Sequence, residues 1–128
     1  MGFECLDPND IFFVDFFQKS LGLEKRVYSF CNELPKVEQA VYEIMKQEPN
    51  IKLILLRDAL VHVVRTTRVL RFQRGYLLLV GQAGSGKRSI AQLSALASNC
   101  VFYTLKQFKN YSYKDYLNDF YELVKVML

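Results

Sequence analysis

Tryptophan is absent from this chain of 128 residues, and histidine, cysteine and proline are scarce, at one, three and three. The lone histidine, His62, has no second histidine or cysteine near it in sequence, so it founds no metal centre. Cys5, Cys31 and Cys100 lie far apart and form no CxxC spacing; reduced thiols are expected rather than a disulfide or zinc framework. No apolar run approaches the roughly 20 residues that cross a bilayer, so no membrane partner is expected. The run 11–17 is broken by Asp15 and preceded by acidic residues, unlike a signal peptide, which points to a cytoplasmic protein. Repeats and low-complexity tracts are missing. Glycine is sparse too, at six, yet three of the six, Gly81, Gly84 and Gly86, fall in one short stretch.

What is present is apolar surface. Half of the residues (51%) are hydrophobic, with eight Tyr and ten Phe. That is enough for one small domain with a genuine core. The net charge is +4, unevenly placed: between residues 57 and 88 stand seven basic residues and one acid, Asp58. A solvated helix face beside a phosphate site explains this run better than a polynucleotide surface, so nucleic acid is not an expected partner.

Along the chain, Asp7-Pro8-Asn9-Asp10 has the form of a helix start, and Phe12, Phe13, Phe16 and Phe17 recur at helical spacing, which predicts a short apolar helix over 11–19. A short extended piece is expected at 27–31. Pro35 opens a second helix, 36–47, with Val37, Val41, Ile44 and Met45 on one face. Glu48-Pro49-Asn50 ends it and marks a boundary between a helical linker or extension, 1–50, and a nucleotide-binding half-domain, 51–128. Segment 55–71 carries an apolar stripe at helical steps. Arg74-Gly75 turns the chain into an apolar run, 76–80, that reads as a buried strand. A helix over 89–97 and a second strand over 101–105 follow. A final helix, 112–127, has Ser112 as its cap and Asp115 three residues on. Strand, helix, strand, helix predicts an α/β fold with parallel strands, flanking helices and a right-handed crossover. Unpaired edges of such a sheet would make the isolated chain marginally stable.

The stretch Gly81-Gln82-Ala83-Gly84-Ser85-Gly86-Lys87-Arg88-Ser89 lies between the first predicted strand and a helix. That order builds a phosphate cradle. Glycines let backbone N–H groups converge on an anion, the helix N-terminus adds unpaired amides and a partial positive charge, and Lys87 adds a full one. The candidate cofactor-binding residues are Gly81, Gly84, Ser85, Gly86, Lys87, Arg88 and Ser89, and the expected ligand is ATP or ADP. A hydroxyl directly after the lysine is the usual magnesium ligand, and Arg88 stands there instead. Ser89 is turned about 100° further round a helix. No metal ligand is therefore assigned, and a magnesium requirement stays open. No apolar strand ending in an acid follows residue 105, so binding is expected without turnover, and no catalytic residue is assigned.

Asp58-Ala59, His62, Arg65, Arg68-Val69-Leu70, Arg74-Gly75, Leu78-Leu79-Val80-Gly81 and Gly84-Ser85-Gly86-Lys87 with Ser89 resemble the dynein heavy chain. The likeness is to its fourth AAA+ module, most closely the axonemal type. Lys109, Tyr111 and Asp119 fit the same pattern, and Phe13-Val14-Asp15-Phe16 is similar to the segment that joins the third module to the fourth. Arg88 where the family usually has Gln, Ala83 for a common Gly and Gln73 for a common Pro are departures. The resemblance implies a partial P-loop AAA+ large subdomain, a regulatory nucleotide-binding segment of a microtubule motor. Gly81, Gly84, Gly86 and Lys87 would hold the phosphates and residues 53–56 would lie by the adenine. It implies as partners the remaining AAA+ modules of the same heavy chain, dynein intermediate and light chains, and the microtubule only through a stalk that this chain lacks. It implies a place in the cytoskeleton and the ciliary axoneme. The acid-bearing strand, sensors and arginine finger are also lacking, so the chain alone is expected to be inactive as an ATPase. Two other readings stand beside this one. One is a small standalone P-loop nucleotide-binding or kinase-like protein; the other is a basic nucleic-acid module whose glycine loop is structural.

Overall fold

Four α-helices and one antiparallel hairpin account for the regular structure in the computed structural model, which describes residues 12–18, 22, 25–106 and 108–128. Helix α1, Leu34–Met45, has proline in its first turn, where a missing N–H costs nothing. Its buried residues, Val37, Val41 and Ile44, recur every three or four positions. Helix α2, Arg57–Leu70, buries Leu60, Val63, Val64 and Thr67 on one side. The hydroxyls of Thr66 and Thr67 donate back to the carbonyls of His62 (2.7 Å) and Val64 (2.9 Å), so both stay satisfied in the core. Helix α3, Lys87–Ala97, lays Ile90, Leu93, Ser94 and Ala97 against it. The α2–α3 packing is the most extensive among the described elements.

Residues 11–19 do not form the expected helix. Phe12–Val14 is a strand, β1, followed by a 3₁₀ turn, Phe16–Gln18. β1 pairs with β2, Ser29–Cys31, in the register Phe12 to Cys31, Phe13 to Phe30 and Val14 to Ser29. Burial alternates as a pleat requires: Phe12, Val14 and Cys31 face inward, while Phe13 and Phe30 meet edge-on outside at 5.7 Å. Phe at positions 12, 13, 16 and 17 fits helical spacing as well, and the distant partner strand decides between the two. The cap expected at Asp7 to Asp10 lies outside the described residues. The extended piece expected at 27–31 contains β2.

The expected parallel sheet is not formed among the described residues. Segments 76–80 and 101–105 have no regular secondary structure and join no ladder, and the β1–β2 hairpin is the only sheet among the described residues. Tyr76, Leu78 and Val80 are 89%, 85% and 86% exposed, whereas Leu79 packs against the core. Strand-like composition does not suffice, because a ladder needs a neighbour in register, and neither segment has one among the described residues.

One buried cluster includes Phe12, Val14 and Phe16 of the hairpin region, Val37 and Val41 of α1, Leu60 and Val63 of α2 and Leu93 of α3. Segments on both sides of residue 50 thus share a core. Two arginines reinforce it. Arg71 pairs with the buried Asp15 at 3.1 Å and donates to the carbonyl of Arg26. Arg26, only 3% exposed, donates Nη1 to the carbonyl of Ala97 at 2.8 Å. Arg68 and Arg71 also lie over the Tyr28 ring. Arg71 therefore braces the hairpin, while Arg57, Arg65, Arg68 and Arg74 stay exposed.

Helix α4, Tyr113–Met127, begins at the expected cap: Ser112 accepts from the Asp115 amide while the Asp115 carboxylate accepts from the Ser112 amide. The Ser112 hydroxyl also donates to that carboxylate at 2.6 Å, and this bond, with the one from the Ser112 amide, holds Asp115 below the ordinary carboxyl range. Asp119 is its one buried residue. It accepts from the Tyr111 hydroxyl and the Lys106 amide at 2.9 Å, and its carbonyl accepts from Tyr103. Cys31 is buried, Cys100 half-buried, and both are free thiols.

Candidate phosphate site

The glycine loop sits at the N-terminal end of α3. Gly84 and Gly86 have φ near +80°, the left-handed region that side chains with a Cβ avoid. Gly86 is the N-cap of α3, and no side chain caps that end. The first intrahelical bond runs from the Ile90 amide to the Gly86 carbonyl, 2.8 Å. The amides of the first turn, Lys87, Arg88 and Ser89, consequently have no helical acceptor behind them, and the helix dipole makes that end electropositive. A Cβ on Gly86 would also lie 3.0 Å from Leu53 Cδ1, and one on Gly81 would lie 2.8 Å from Ser85 Oγ. Gly84 faces open space, so its backbone is approachable from outside.

Lys87 turns back over its own loop. Its ammonium donates to the carbonyls of Gly81 (2.8 Å) and Gln82 (2.5 Å) and lies 3.3 Å from Ser85 Oγ. The side chain closes residues 81–87 into a ring around one cation. Ser85 tightens it by donating its backbone N–H to the Gln82 carbonyl, 3.3 Å.

Gly84, Ser85 and Gly86 form one wall of a cleft of about 540 Å³. Leu53, Ile54 and Leu56 form another. Asp58, Ala59 and His62, from the first turns of α2, complete it with Ile90. Sequence reasoning noted Asp58 and His62 but not that they face the loop. The available signal was their four-residue spacing on α2, which places both on one helix face. Gly81, Lys87, Arg88 and Ser89 do not line this cleft; Arg88 is exposed and Ser89 half-buried on the first turn of α3.

The donors fit an anion. Unpaired amides, left-handed glycines and an ammonium group converge on one helix end beside an apolar-walled cleft large enough for a small molecule. The residues do not offer a built metal site: no group of three His, Cys, Asp or Glu among the described residues is placed to hold a cation. No helix of the described residues is long and apolar enough to cross a membrane.

Comparison with known proteins shows the family. Residues 51–127 match the family model described as the P-loop containing dynein motor region D4. Human dynein axonemal heavy chain 10 is 33% identical over 120 residues, 91% of this chain and 3% of that protein. The Chlamydomonas reinhardtii dynein-1-beta heavy chain of the flagellar inner arm I1 complex is 33% identical over 113 residues, 84% of this chain and 2% of its own length. The cytoplasmic dynein heavy chain of Paramecium tetraurelia is 30% identical over 114 residues, 79% of this chain and 2% of its own. The chain thus spans only a few per cent of the length of these relatives. No solved structure matches it. The family model covers well over half of the chain, and with it the glycine loop, so the chain belongs to the dynein heavy chain motor-region family of P-loop proteins.

Proposed function

We propose that this chain binds the phosphates of ATP or ADP as part of the fourth AAA+ module of a dynein heavy chain, and that it regulates rather than powers the motor. The observation that carries the reading is the uncapped N-terminus of α3, with left-handed Gly84 and Gly86 before it and Lys87 folded over the loop. Three acceptors of the loop hold the Lys87 ammonium where phosphate oxygens would take their place. Exchange of neutral carbonyls for a charged phosphate makes each bond one between two ions, without first ordering the side chain. The first-turn amides receive the neighbouring oxygens, and the wall formed by Leu53, Ile54 and Leu56 takes the base.

Arg88 favours retention over turnover. It puts a guanidinium where a hydroxyl would hold magnesium, so charge on the phosphates is met by protein cations. The partners in this reading are the other AAA+ modules of the same heavy chain, intermediate and light chains, and a microtubule contacted elsewhere in the motor. The setting is the cytoskeleton and, as the names of the axonemal and flagellar relatives suggest, the ciliary axoneme.

Calorimetric titration of ATP and ADP into the chain, with and without magnesium, tests the reading. Lys87→Ala should weaken binding about tenfold to a hundredfold, the worth of one to two charge-assisted bonds. Equal affinity in the variant would remove Lys87 from the phosphate site.

A further inference from the structure

α3 is held at both ends by groups of opposite origin. Its N-terminal end carries the glycine loop. Its C-terminal end, where Asn99 turns left-handed (φ 53°), presents the buried carbonyl of Ala97 to the Arg26 guanidinium at 2.8 Å. Arg26 belongs to the segment that leads into β2, before the residues 51–127 that the family model matches. Its own backbone is fastened in turn: Arg71, at the end of α2, donates from both Nη1 and Nη2 to the Arg26 carbonyl, at 3.1 and 3.2 Å, while pairing with Asp15 just after β1. Asp15, Arg71, Arg26 and Ala97 thus form a continuous polar relay from the hairpin, through α2, to the far end of the loop-bearing helix.

We propose that Arg26 is a positioning residue for the phosphate loop. It seats α3 along its axis, so hairpin docking and anion capture at the opposite end favour one another. The physical basis is the helix itself. An 11-residue helix is a stiff rod of roughly 16 Å, and a cation at its carbonyl end and an anion at its amide end act on the same dipole with the same sign. Gly86 packs closely on Leu53 of the cleft wall, since a Cβ there would lie 3.0 Å from Leu53 Cδ1. A shift of α3 away from Arg26 moves the loop relative to the cleft wall. Reciprocity follows: a ligand that holds the loop must tighten the hairpin by the same factor.

This proposal rests on the phosphate reading of the loop, and the tests separate the two. In the unmodified chain, saturating ADP should slow amide exchange of Phe12–Val14 and Ser29–Cys31 on the order of fivefold or more. Arg26→Met should weaken ADP binding by a similar factor and abolish that protection, whereas Arg26→Lys, which keeps a cation at the Ala97 carbonyl, should recover part of both. Ile44→Ala in α1 destabilises the core without touching the relay and should leave the affinity of the folded protein unchanged. ADP that binds without altering hairpin exchange overturns the positioning role and leaves the phosphate reading intact. Failure of ADP to bind the unmodified chain overturns both.

Discussion

Arg26 and Ala97, separated by 71 positions in sequence, meet through a buried hydrogen bond of 2.8 Å that closes the hairpin region onto the end of α3. Four carbonyls at a helix C-terminus lack helical donors, and a buried one left unpaired costs about 1–3 kcal/mol. Arg26→Met keeps most of the buried stem but removes the donor. It should lower the unfolding free energy by that amount, measured by urea denaturation followed by circular dichroism. An unchanged midpoint would show that another group satisfies the Ala97 carbonyl.

Gly75 is fixed by contact rather than by its dihedral angles. A Cβ there would collide with the carbonyl oxygen of Val69, in the last turn of α2, which cannot retreat without breaking the helix. Gly75→Ala should destabilise by about 1–3 kcal/mol as an overpacked site. At Gly22 an added methyl would meet nothing within 4 Å, so alanine there should be tolerated within about 0.5 kcal/mol. Thermal unfolding of the two variants side by side checks the contrast.

These particulars show what was legible in the chain. The apolar steps of α1, α2 and α4 and the Ser112–Asp115 cap are local patterns, and they predicted the helices to within a few residues. The need for left-handed glycines at positions 84 and 86 is local too. What failed depended on distant partners. Phe12 and Phe13 satisfied helical spacing until Cys31 and Phe30 arrived to pair with them. Segments 76–80 and 101–105 have strand composition, but composition does not supply a neighbour. Arg57, Arg65, Arg68 and Arg74 are exposed, as a solvated face requires, but the pairing of Arg71 with Asp15, 56 positions away, had no local sign. At the site, the loop was legible, while the closing of Lys87 onto the Gly81 and Gln82 carbonyls was not, since nothing in the residue order distinguishes an inward from an outward lysine.

Tyr111 gives α4 a pH-dependent anchor. Partial burial, and then its hydrogen bond to Asp119, push its hydroxyl up to about 12 from 10.0. A tyrosine whose folded value lies above its unfolded one stabilises the fold fully below about pH 10. That contribution fades as the pH rises toward 12 and tyrosinate can no longer donate to Asp119. The late tyrosinate absorbance step should vanish in Tyr111→Phe. The same variant should already show weakened α4 protection at neutral pH in amide exchange. A step at the ordinary tyrosine value would remove the anchor.

Arg88 is the residue through which the proposed nucleotide site departs from magnesium-dependent chemistry. It follows Lys87 directly, is exposed on the first turn of α3, and offers a cation where a metal-binding hydroxyl would stand. With Arg88 in place, magnesium and guanidinium compete for the same phosphate oxygens, so added magnesium should change ATP affinity little. Arg88→Ser removes the competing charge and supplies the hydroxyl. Metal-free ATP affinity should then fall about tenfold, the loss of one charge-assisted contact, and magnesium should restore much of it. Titration of ATP into both proteins, with magnesium and with a chelator, reads the difference directly. If the two proteins respond alike to magnesium, Arg88 lies clear of the phosphates, and the case for retained nucleotide must rest on Lys87 and the amides of α3 alone.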